Sequence, residues 1–188
     1  MAFFRKNKPE TISLRSGEEA PNFQLPSVQG GLLRLDMRTA HGPVVLAFVD
    51  AGEESRELLE HLKQREVEFQ RVGEHKYYRP NPESQTTGRP HSSIGPTVAA
   101  TVVVVVRAET VEPVRELQER LELPYYVLWD EAGRVCGKYG VAEGEVATAL
   151  VESDGTLTWF SEDVESPRVE QILQVILPVQ DENPGSES

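Results

Sequence analysis

A single thiol, Cys136, sets the first limit on what chemistry this 188-residue chain can do. One cysteine makes no intrachain disulfide, no C-x-x-C redox pair and no thiolate-rich zinc site. It sits in Arg134-Val135-Cys136-Gly137-Lys138 and reads first as a small buried hydrophobe. The alternative is a reactive thiol, because the flanking cations Arg134 and Lys138 would favour a thiolate. Glu53 and Glu54 could form a general acid/base pair, but acids at a helix start ordinarily serve the helix dipole, worth about 0.3–1 kcal/mol. Residues 133–138 offer two glycines and a lysine, as a phosphate loop does. Only three residues separate Gly133 from Gly137, and Tyr139 stands where a Mg-binding hydroxyl is needed, so the spacing fails. His41, His61, His75 and His91 are scattered without metal-ligand spacing, so neither a metal site nor a cofactor is expected. Tyr77-Tyr78-Arg79-Pro80-Asn81-Pro82 joins aromatics to proline. That combination makes a low-entropy binding surface and marks Tyr77 and Tyr78 as candidate binding residues; an unstructured loop is the plainer reading.

Composition narrows the partners. Acids outnumber bases 31 to 19, for a formal charge of −12, the wrong sign for phosphate contacts, so neither nucleic acid nor an anionic membrane is an expected partner. With 38% hydrophobic and 27% charged residues the chain fits a soluble globular protein. Its apolar runs are far shorter than the roughly 20 residues a membrane span needs. No apolar stretch follows Arg5, Lys6 and Lys8, so no secretory signal is visible and the cytoplasm is the expected compartment. The length suits one domain with a substantial core.

The elements that must position these residues follow from periodicity. Residues 22–35 read as a hairpin around Val28-Gln29-Gly30-Gly31, whose glycines supply positive φ. Val44-Val45-Leu46-Ala47-Phe48-Val49 is a continuous apolar run, as in a strand covered on both faces. Residues 50–72 read as one helix with Leu58, Leu59, Leu62, Phe69 and Val72 inward. Residues 73–96 hold four prolines and few apolar groups, so they read as a long loop insertion. A β-branched strand over 98–106, a helix over 110–121 and a strand over 125–129 come next. A turn at Asp130-Glu131-Ala132-Gly133 follows. A hairpin pairs 147–151 with 156–160 around Ser153-Asp154-Gly155. Ser166-Pro167 then opens a last helix with Ile172, Leu173 and Ile176 inward. Residues 1–15 and 179–188 read as flexible tails, the second acidic. Strands alternating with helices give an α/β fold: a three-layer sandwich with a mixed central sheet and helices on both faces.

Four phrases, in order, carry a likeness to a known group: Gly17-Glu18-Glu19-Ala20-Pro21-Asn22-Phe23-Gln24-Leu25, Pro43 with the strand after it, Leu123-Pro124-Tyr125 to Tyr139-Gly140-Val141, and the hairpin 150–157. Over residues 16–178 the chain resembles the thioredoxin-like superfamily, and within it the peroxiredoxin (alkyl hydroperoxide reductase/thiol-specific antioxidant) branch. That resemblance implies a thioredoxin-like domain and a catalytic cysteine at the helix start after residue 49. Here that stretch reads Gly52-Glu53-Glu54-Ser55-Arg56 in place of C-x-x-C-R. A carboxylate forms neither a sulfenic acid nor a disulfide, and no base adjoins Ser55 in sequence. The proline or arginine that the resemblance implies before the last hairpin is missing too, from Gly144-Glu145-Val146-Ala147.

The expectation is therefore a peroxiredoxin-like, cytoplasmic protein of the thiol-redox family without its peroxidatic cysteine. It would act as a non-catalytic binding module, with a protein partner met through the 73–96 loop. The alternative is a thiol-dependent antioxidant oxidoreductase working through Cys136.

Overall fold

The computed structural model describes residues 14–70, 100–161 and 167–176. Its centre is a five-stranded sheet in the order β5-β4-β3-β6-β7, formed by β3 (Val44–Asp50), β4 (Thr101–Ala108), β5 (Tyr126–Glu131), β6 (Ala147–Val151) and β7 (Leu157–Ser161). The strands β3, β4 and β5 run parallel, while β6 and β7 add antiparallel partners. A small antiparallel pair, β1 (Gln24–Pro26) and β2 (Leu32–Arg34), stands apart. Five residues join its strands, and Gly30 and Gly31 take φ of 107° and 80°, the conformation that makes glycine necessary there.

Alternation along β3 divides the core in two. Val45, Ala47 and Val49 face a cluster with Leu59, Leu62, Val114, Leu117 and Ile172. These come from α2 (Arg56–Gln64), α4 (Glu112–Leu121) and α6 (Pro167–Ile176). Val44, Leu46 and Phe48 face the other side, against the β1–β2 pair, α1 (Leu35–Thr39) and α5 (Arg134–Lys138). Both faces are covered, which is why β3 and β4 read as unbroken apolar runs. Leu14, inside the stretch read as a tail, packs against this second cluster. No helix among the described residues is long and apolar enough to cross a membrane.

The helix expected over 50–72 is corrected in three places. Asp50 belongs to β3, a 3-10 turn (Glu53–Ser55) precedes α2, and the helix breaks at Arg65 before α3 (Glu66–Phe69). Arg65 leaves helical geometry at φ −101°, ψ 17°. Its guanidinium ties Glu170 of α6 (2.8 Å) and Glu68 (3.3 Å). After the break Phe69 turns fully inward, edge-on to Tyr125 at 6.4 Å, and its carbonyl accepts the Ala100 N–H. Val72 lies outside the described residues. Other bounds shift slightly: β4 runs on to Ala108, α4 begins at Glu112, and β7 ends at Ser161.

The open edge of β5 is closed by the β1–β2 loop, through an antiparallel bridge of Ser27 with Leu128 and through the Gln29 side chain. The Gln29 amide donates to the Tyr125 carbonyl (2.7 Å) and accepts from the Val127 N–H (3.1 Å), while Val28 N–H donates to Val127 (2.9 Å). One amide thus stands in for a strand residue and blunts an edge that would otherwise invite pairing.

Candidate functional site

The loop after β3 holds no thiol. Ser55 is buried, and its Oγ donates to the Asp50 carbonyl at 2.7 Å. Its proton is committed to that carbonyl, and among the described residues no base is hydrogen-bonded to it. Gly52 precedes the 3-10 turn in extended geometry, and the Glu54 carboxylate folds back over it: a Cβ at Gly52 would meet Glu54 Oε2 at 2.5 Å. Glu53 turns away to Arg120 of α4 at 2.9 Å, with Arg56 at 3.8 Å; Arg56 in turn holds Glu60 at 2.8 Å. The two acids therefore do not face each other as an acid/base pair. All these ion pairs are exposed and weakly stabilising.

Beside that loop, three charges form a row across the carboxyl ends of the parallel strands. Asp50 on β3 is the register partner of Arg107 on β4, which is the register partner of Asp130 on β5. Arg107 Nε lies 3.6 Å from Asp50 Oδ1, and its Nη2 donates to the Val141 carbonyl. Asp50 Oδ2 accepts the Gly144 N–H. Arg107 also lies flat on Gly133, where a Cβ would come within 2.5 Å of Nε. Asp130 is fully buried and accepts from the N–H groups of Val135 (3.0 Å) and Cys136 (2.8 Å). These are the N–H groups a phosphate would need at residues 133–138, and the protein's own carboxylate has taken them. The strand ends, where open α/β sheets ordinarily receive ligands, are tied together by their own side chains.

Cys136 lies beneath this row with no exposed surface. Burial pushes its thiol up to about 12, the Asp130 carboxylate adds to the rise, and Arg107 opposes it. The flanking cations named for the alternative reading, Arg134 and Lys138, are both exposed, and Arg134 reaches toward Glu131 at 3.9 Å. On a five-residue helix, neighbours in sequence point to different sides. The cation that does face the sulfur is outweighed.

No family model matches the chain, and no curated protein matches it in sequence. Solved structures do. A chain from Chlorobium tepidum described as a DsbE thiol:disulfide interchange protein aligns at TM-score 0.64 and 17% identity, over 87% of this chain and 99% of that one. The peroxidoxin BcpB of Mycobacterium tuberculosis aligns at TM-score 0.63 and 18% identity, over 87% and 96%. This chain has a thioredoxin-like fold. The bacterioferritin comigratory protein of Xanthomonas campestris shares that fold at TM-score 0.59 and 14% identity, over 82% and 89%.

In this thioredoxin-like frame, the sequence-marked residues divide. Gly52, Glu53, Glu54, Ser55 and Arg56 gather at the start of α2, and Cys136 lies under the neighbouring strand ends. Gly144 donates its N–H to the Asp50 carboxylate of the row, while the Glu145 carboxylate turns back to accept from the Ala142 N–H at 3.0 Å. His41 sits against the Met37 carbonyl at 2.9 Å, and His61 faces Glu170 at 3.5 Å. His75, His91, Tyr77 and Tyr78 lie outside the described residues. Sequence reasoning missed Asp50, Arg107 and Asp130. The available signal was a charge at the close of each of three apolar strand runs: Asp50, Arg107, and Asp130 with Glu131.

Proposed function

We propose that this chain is a binding protein on a thioredoxin-like fold that works without thiol chemistry. The observation carrying this reading is the Ser55 hydroxyl, buried and donated to the Asp50 carbonyl, where the resemblance implies a cysteine. The buried Cys136, its thiol held near 12, supports the same reading, since a thiol with that value is almost wholly protonated near pH ~7. The partner in this proposal is a protein, met through the 73–96 segment with Tyr77 and Tyr78, in the cytoplasm. Acids exceed bases, which disfavours nucleic acid.

The second reading, a thiol-dependent oxidoreductase acting through Cys136, rests on the chemistry ascribed to the structural neighbours, among them thiol:disulfide interchange and alkyl peroxide reduction. An assay of purified chain with dithiothreitol, offering hydrogen peroxide in one arm and a protein disulfide in the other, separates the two. The binding reading expects neither substrate to be consumed above the protein-free rate. Turnover of either, lost in Cys136→Ser, would establish the second reading instead.

A further inference from the structure

Among the described residues, the large apolar side chains in solvent are Leu32, Met37, Val67 and Tyr126. Single exposed apolar residues need no explanation, whereas clustered ones mark interaction sites. Leu32, Met37 and Tyr126 line one groove of about 420 Å³ between β2, α1 and β5. Leu32 is 66% exposed and Met37 59%, so the cluster lies open rather than being a half-buried margin of the core.

The groove also carries an uncompensated charge. Arg38 lies over the Tyr126 ring, its guanidinium carbon 4.8 Å from the ring centroid. Its Nε is buried without an acceptor, and among the described residues no carboxylate pairs with it. Arg34, also on the groove, is already neutralised by Asp36 at 2.6 Å. That one N–H without an acceptor is costly, and the planar fork of this half-buried side chain suits a carboxylate better than any other common group. The edge of β5 is closed here by Gln29, so an occupant would be recognised by side chains rather than by adding a strand.

We propose that this groove docks an acidic peptide segment of a partner protein. An apolar side chain of that segment rests on Leu32, Met37 and Tyr126, and an adjacent Asp or Glu meets Arg38. Charge chooses the occupant. The chain's own N-terminal segment carries Arg5, Lys6 and Lys8 and has the wrong sign; its acidic C-terminal segment, with Asp181 and Glu182, has the right one, and tighter peptide binding after deletion of residues 179–188 would give the groove to that segment instead. A nucleic acid or an anionic bilayer would need several free cations in place of one. The proposal rests on the reading of this chain as a binding protein, but the two fail separately: thiol turnover would end that reading without altering what this groove binds.

Panning a random-peptide phage library on the immobilised full chain tests it, followed by anisotropy titration of the recovered peptides. The expected peptides place Asp or Glu beside Leu, Phe or Trp. Arg38→Glu and Leu32→Asp should each weaken them about tenfold or more, as loss of an anchor does, with unchanged thermal melting. Should Arg38→Glu melt early, Arg38→Gln keeps the test. Recovery of no peptide, recovery of basic peptides, or binding indifferent to both substitutions would overturn the proposal. So would a sedimenting dimer that Leu32→Asp dissociates, since the groove would then belong to a second copy.

Discussion

Arg107 reaches from β4 to the carboxylate of Asp50, its register partner on β3, with Nε 3.6 Å from Oδ1. The same guanidinium holds the Val141 carbonyl and covers Gly133, so one side chain fastens three loops at the carboxyl end of the sheet. Arg107→Met should lower stability by about 1–2 kcal/mol, discounted for the partial exposure of the pair. Arg107→Lys should recover little of it, because an ammonium cannot reproduce the fork. Urea unfolding of the three proteins measures this.

Asp130 presents a clearer case because it is wholly buried and accepts two N–H groups of α5. Asp130→Ala leaves those donors unsatisfied and should cost about 2–4 kcal/mol. Asp130→Asn keeps one acceptor and should cost less. It should also let Cys136 ionise at lower pH, since the carboxylate is part of what holds the thiol up. Ultraviolet thiolate titration of the variant against wild type reads the second effect.

Alkaline pH should unfold this protein earlier than its charge alone predicts. Cys136 is raised from 9.0 to about 12, and burial also raises Tyr125 and Tyr139 above 10.0. For each, the unfolded chain ionises first. The stabilisation is therefore complete below pH 9 and is lost as pH climbs from there toward the folded values. Urea midpoints should be flat from about pH 7 to 9 and fall steeply above. In Cys136→Val the fall should begin about one unit later, where the tyrosines take over.

Gln29→Ala should uncap the β5 edge, costing about 1–2 kcal/mol for the lost bonds to Tyr125 and Val127. It should also promote self-association at high concentration, visible by light scattering. A variant that stays monomeric and as stable as wild type would show that Gln29 does not guard the edge.

Much of this architecture is legible in the sequence, for identifiable reasons. The apolar run from Val44 and the valines of β4 announce strands buried on both faces, and the Gly30-Gly31 pair announces its turn. The break at Arg65 is not legible: the ion pair that stands at it joins Arg65 to Glu170, which folding brings from the far end of the chain. The site shows the same division. Absence of a thiol at Gly52-Glu53-Glu54-Ser55 can be read directly, whereas the Asp50–Arg107–Asp130 row exists only through strand register. The pairing of Arg38 with Tyr126 likewise joins two segments that no local pattern connects.

The proposal that this chain works without thiol chemistry is tested most directly by hydrogen peroxide consumption in the presence of dithiothreitol. Wild type and Cys136→Ser should both match the protein-free rate, because the buried thiol stays protonated and Ser55 cannot replace a cysteine. Peroxide consumption by wild type well above that rate, abolished in Cys136→Ser, would contradict the account.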